Sequence, residues 1–266
     1  AGRLRPAELL ERIDACSKLS PPRAEVPGVD RAALDVYAQG RTPLTGPILD
    51  SLPRVEDVGR RLFGTPPPVR FVLFSDLPRF QRFYALFGGA AARSPESAHS
   101  TGVVGLVVFS AQKARRATAA ETVSLALHET MHAWAATYLR EKYDRPIVLP
   151  PYVDEGLATY VAGLSSPEAA ALPARRLELW RRRGFAPPPL AALRRRDSFY
   201  APGRSSADYF ISEQLIERLI GPPEEGAGKV RAFLDAYART GDDLKAWRAV
   251  SGKDAAAEYA ELAAGE

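Results

Sequence analysis

The chemistry-bearing residues of this chain concentrate in one pentapeptide, His128-Glu129-Thr130-Met131-His132. Histidines at i and i+4 fall on one face of a helix, with Cβ atoms about 5–6 Å apart. Two imidazoles at that separation can ligate a single zinc ion at about 2.0–2.1 Å. Glu129, one residue along, stands beside the metal position rather than on it. There it can take a proton from a water that the metal activates. The chain has only three histidines, so chance yields this pattern about twice in a thousand such chains. The competing reading is a pair of core histidines that merely satisfy hydrogen bonds. Burying two imidazoles and a carboxylate with no cation is costly, which favours the metal reading.

A zinc site for hydrolysis needs a third protein ligand and one open position. The best candidate is Glu155, in Tyr152-Val153-Asp154-Glu155-Gly156, with 22 residues between it and His132. That length lets the first helix finish, turn through the prolines at 146, 150 and 151, and return. Gly156 costs about 1 kcal/mol in a helix relative to Ala; close approach to the histidine helix would account for it. An ordinary carboxylate at a helix start, favoured by the helix dipole, fits the position of Glu155 equally well. Asp154 is adjacent but is expected to face another way, and His99 lies in a loop. Thr159, one turn after Glu155, could hydrogen-bond a ligating histidine, or be a plain helix-face threonine.

These residues need elements to hold them. Thr118 and Glu121 form a capping-box signature, which predicts a helix running to about residue 143. A Pro-containing connection over 144–151 leads to a second helix over 152–163. Upstream, helical apolar spacing predicts helices over 6–17, 46–63 and 76–87, and a short one around 31–37 inside an irregular stretch, 19–45. Strands are expected over 69–75 and 102–110, with Gly105 marking a bulge or a close backbone approach. From residue 167 onward the pattern is mostly helical. Strands in the first half and helices in the second predict an α+β fold rather than alternating βαβ units. Three regions follow: an irregular or helical segment 1–45, a catalytic subdomain 46–165, and a helical C-terminal subdomain 166–266.

The chain has 266 residues, 46% hydrophobic and 26% charged, ample for a buried core. The apolar run 103–109 is far too short to span a bilayer. One cysteine, Cys16, excludes an internal disulfide framework and any Cys-rich zinc ribbon. The net charge is +4, with 30 Arg against 6 Lys. Arginines cluster at 175–176, 181–183 and 194–196 around Trp180. No nucleic-acid motif accompanies them, so they read as a solvated helix face, with no nucleic acid as partner. If they flank the cleft, they bias substrates towards acidic residues. The first residue is not Met, so a processed start is expected.

The motif His-Glu-x-x-His-x-Trp (with Trp134), followed by Glu-Gly-x-Ala-Thr-Tyr (155–160), resembles the aminopeptidase N branch of the gluzincin metallopeptidases. More broadly it is similar to the bacterial peptidase MA-like domains. The resemblance runs from about residue 45 to the end and implies a zincin-like (thermolysin-like) domain with a small mixed sheet. It implies one Zn2+ held by His128, His132 and Glu155, and Glu129 as general base. Tyr152 stands where the family usually has Trp. The segment 207–212 is similar to the one carrying the family's transition-state tyrosine; that role falls on Tyr209, with Tyr200 second and Ser212 in place of Gly. The family's amine-gripping Glu has no counterpart in strand 102–108. An endopeptidase acting on a peptide or protein is therefore expected, with Val104 and Gly105 on a strand edge that pairs with extended substrate. The alternative is a zincin-fold binding or scaffold protein without turnover. Export from the cytoplasm is expected from the resemblance and the missing initiator.

Overall fold

The structure, a computed structural model, describes residues 18–88, 100–103, 105–112, 118–182, 184, 186–200, 207–221 and 223–264. The helix expected over 6–17, Cys16, His99 and Val104 lie outside them. The first half contains β1 (Leu34–Ala38), α1 (Gly46–Phe63), β2 (Val69–Phe74), α2 (Leu77–Gly88), β3 (Ser100–Val103) and β4 (Leu106–Ser110). The strands form one sheet in the order β1-β2-β4-β3. The first three are parallel, and β3 runs antiparallel to β4 at the edge.

Two strand expectations are corrected. Residues 34–38, expected to be part of a short helix in an irregular segment, are β1. Its alternation of buried and half-buried side chains spans only five residues, too few to separate period 2 from period 3.6 without its partner β2. With β1 in place, β1-α1-β2 is a parallel crossover, and β2 reaches its other parallel neighbour, β4, through α2 and β3, so the first half contains βαβ-type connections after all. Mixed α+β with a helical second half still describes the whole. The single strand expected over 102–110 is instead two, β3 and β4, which pair antiparallel. Gly105 has φ +67°, the left-handed conformation that tight hairpin turns require and that glycine adopts without steric cost.

The sheet is buried on both faces, which is why β2 and β4 read as continuous apolar runs. Phe71, Leu73, Val107 and Phe109 join the core with α1 and the helices behind it. Val72, Phe74 and Val108 meet Phe80 and Phe83 of α2 on the other side.

The second half is helical: α3 (Ala119–Tyr143), α4 (Pro151–Gly163), α5 (Pro167–Arg182), α6 (Leu190–Leu193), α7 (Arg196–Phe199), α8 (Ala207–Ile220), α9 (Pro223–Thr240), α10 (Asp243–Ser251) and α11 (Ala255–Ala264). Trp134 of α3 is fully buried against α1, where Gly59 makes room: a Cβ there would lie 2.6 Å from the indole ring. Helix α4 packs between α3 and α8. Gly156 is needed at the α8 contact, since a Cβ would lie 2.7 Å from the Ser212 carbonyl oxygen. The close approach is therefore to α8, not to the histidine helix as expected. One hydrophobic core runs from Leu34 in β1 to Leu262 in α11, and all three sequence regions contribute to it. Among the described residues, no helix is long and apolar enough to cross a membrane.

Candidate metal centre

The site starts with the capping of α3. The Thr118 amide donates to Glu121 Oε2 at 2.7 Å, and the Glu121 amide donates back to Thr118 Oγ1 at 3.2 Å. Two otherwise orphaned amides are satisfied, and the helix continues to Tyr143. It presents His128 and His132 on one face, their rings edge to face with centroids 4.9 Å apart. Pro150, extended at φ −57° and ψ 143°, turns the chain into α4. The first turn of α4 then lies across the two histidines.

Three ligand atoms converge there. His128 Nε2 and His132 Nε2 are 3.3 Å apart. Glu155 Oε2 is 3.3 Å from the first and 3.4 Å from the second. An ion about 2.0–2.1 Å from three tetrahedrally arranged ligands would hold them about 3.3–3.4 Å apart. The residues therefore fit a tetrahedral cation without rearrangement. His128, His132 and Glu155 can hold a metal ion, and they are the group the sequence singles out.

The surroundings fix how each ligand is aimed. His132 Nδ1 lies 2.9 Å from Asp154 Oδ1. In the neutral ring whose Nδ1–H donates to Asp154, the Nε2 lone pair is the one that faces the trio. Tyr200 donates its hydroxyl to Glu155 Oε1 at 2.6 Å. The Glu155 carboxylate is thus divided, one oxygen held by Tyr200 and the other turned to the histidines. Burial opposes the charge on Glu155, yet the two histidines outweigh it and hold the carboxyl well below the usual range. Burial likewise opposes a charged His132, but Asp154 and Glu155 raise its pKa well above the ordinary value. Both shifts have one source, the contact of the imidazoles with the Asp154 and Glu155 carboxylates. Burial, and then the Glu155 carboxylate, push the Tyr200 hydroxyl far up, so it stays a donor at neutral pH.

The remaining expected residues fall as follows. Glu129 sits beside His128 on α3, half-buried and outside the trio. Tyr209 is half-buried on α8, its ring edge-on to Phe199 at 5.3 Å; Phe199 meets Tyr200 at 5.1 Å. It is therefore Tyr200, the second choice, whose hydroxyl reaches the trio. Thr159 is half-buried on α4, and the support expected of it for a histidine is supplied by Asp154. Gly105 cannot pair with a substrate through its backbone. Its amide donates to Thr137 Oγ1 at 2.7 Å, and its carbonyl accepts from the Arg70 amide at 2.9 Å. Those bonds pin the hairpin to α3 and to β2.

Asp154 faces another way than Glu155, as expected, and the contact it makes with the far nitrogen of His132 is what sequence reasoning did not foresee. Neighbours on a helix point about 100° apart, and the two nitrogens of one imidazole face different directions. Adjacent carboxylates can therefore reach both sides of His132, and an Asp-Glu pair at a helix start carries that signal. Compared with protein-family models, curated proteins and solved structures, the chain finds no match.

Proposed function

We propose that this protein is a zinc-dependent peptidase of the gluzincin type, hydrolysing internal peptide bonds of peptides or proteins. The observation that carries the reading is the trio of His128, His132 and Glu155 at tetrahedral spacing, with a further carboxylate, Glu129, next to His128 on the same helix. Two imidazoles and one carboxylate form a zinc donor set, and three protein ligands leave a position open for chemistry. When bound, zinc supplies Lewis acidity, which activates water and polarises a carbonyl. Glu129 then has the work of a general base, taking a proton and returning it to the leaving amine. Asp154 and Tyr200 orient His132 and Glu155. Tyr209 is assigned as the hydrogen-bond donor to the developing oxyanion. Strand β3 lies at the sheet edge, and an extended substrate can add to its outer side by backbone pairing.

The test is bound zinc by elemental analysis, with cleavage of a mixed peptide library by wild type and Glu129→Gln. One zinc per chain in both, with turnover reduced about 10²–10⁴-fold or more in the variant, is the expected result. Zinc in both without cleavage by either would replace this reading with a zincin-fold binding or scaffold protein. Absence of zinc from both would overturn the ligand assignment.

A further inference from the structure

The arginine-rich stretch does not behave as one solvated face. Arg181 donates to the Leu262 carbonyl, and Arg182 pairs with Glu178 one turn away. Arg194 makes a two-armed contact with buried Asp243, at 2.9 and 2.6 Å. The Asp243 carboxylate also accepts the Tyr152 hydroxyl at the start of α4. The Arg182–Glu178 pair is exposed on the helix surface, whereas Arg181 and Arg194 are tied into the fold. Arg196, two residues further on, differs: it is exposed, and among the described residues its guanidinium meets no carboxylate within ion-pair distance. Instead it lies over the ring of Tyr200, with its central carbon 5.2 Å from the centroid. That is the tyrosine whose hydroxyl holds Glu155.

A guanidinium stacked on an aromatic face is oriented by the ring, while its N–H edges stay free. Such edges match a carboxylate in a bidentate pair. The path from Arg196 through the Tyr200 ring to Glu155 Oε1, the oxygen that accepts the Tyr200 hydroxyl, spans roughly 11 Å at most, the reach of about three residues of extended chain. We propose that Arg196 is a substrate-binding residue that takes a peptide carboxylate, from an acidic side chain or a free C-terminus, within about three residues of the scissile bond. This rests on the peptidase reading above and adds a substrate class to it: acidic peptides.

Binding is the readout that separates the two ideas. Zinc-loaded Glu129→Gln protein is titrated calorimetrically with blocked decapeptides that differ only by Glu, Gln or Lys at one position. A second pair differs only by a free or amidated C-terminus. The expected result is about tenfold or greater preference for the peptide carrying the carboxylate. The same preference is lost when Arg196→Ala is added and turns towards Lys when Arg196→Glu is added. A Glu series that discriminates while the C-terminal pair does not assigns the site to acidic side chains, and the converse to chain ends. Equal affinity for Glu and Gln peptides and for both chain ends, or a preference that survives Arg196→Ala in protein of unchanged thermal midpoint, overturns the proposal. Parallel cleavage assays with the wild type test the peptidase reading separately, because the binding comparison needs no turnover.

Discussion

Helix α3 carries a polar cluster at each of two places, and they solve the same problem differently. Near its C-terminal end, Asp235 of α9 accepts the hydroxyls of Tyr138 and Tyr143, each at 2.9 Å. Lys142 completes the set at 2.8 Å. That carboxylate has its cation built into the chain, and its pKa is lowered because Lys142 and the two hydroxyls outweigh burial. In the middle of the same helix, His128, His132 and Glu155 bring three ligand atoms within 3.4 Å of one another, and among the described residues no Lys or Arg pairs with Glu155. A self-satisfied cluster ties α3 to α9. The other cluster sets three ligand atoms at a spacing that could hold a metal ion.

The largest way to break this comparison is to remove a ligand. Glu155→Gln is expected to weaken zinc binding by more than about 100-fold, beyond the effect of an outer partner. Competition with a chromophoric chelator measures it, and unchanged affinity would move the third ligand elsewhere. Asp154→Asn is expected to cost less, about 10–100-fold in the same assay, because it loosens the aim of His132 without removing a ligand. Asp235→Ala should show the opposite pattern. Zinc affinity stays, while stability in denaturant titration falls by about 1–3 kcal/mol, mostly through the two tyrosine hydroxyls left without their acceptor. The Lys142 arm is half in water and contributes least.

A third polar group, Glu213 on α8, is buried and, among the described residues, pairs with no base. Burial, aided by Glu217, raises its pKa to about 7, although Gln214 donates to it at 2.8 Å. The folded state therefore keeps this proton to about pH 7, whereas the unfolded chain releases it near pH 4.3. Its stabilisation is fully present below about pH 4.3 and is lost as pH rises to about 7, with a slope of no more than about 1.4 kcal/mol per pH unit. Glu213→Gln should flatten that slope in melts run across the window. A slope unchanged by the substitution would place the titrating group elsewhere.

The histidine pair, the capped helix beneath it and the return of the chain at the prolines were all legible in the residues. Each rests on local rules that repeat every few positions: i and i+4 share a helix face, Thr and Glu three apart cap a start, and proline bars continuation. β1 was not legible, because five residues of alternation mean little until a parallel partner supplies the register Leu34↔Val69 to Ala38↔Leu73. The hairpin hidden in 102–110 was not legible either, since only Gly105 interrupts the apolar run 103–109 and only the pairing of Val103 with Leu106 reveals the fold-back.

What the sequence alone determined is the inventory of the site and the helix that presents two of its members, because backbone geometry within one helix is local. Which atoms complete it was decided by tertiary structure. Glu155 reaches the histidines, Asp154 reaches the far nitrogen of His132, and Tyr200 reaches Glu155. Each depends on where α4 and α7 come to rest. Gly156 sets that through its contact with Ser212 on α8, and the Tyr152–Asp243–Arg194 linkage anchors the start of α4. Both are long-range packing constraints that no spacing along the chain encodes.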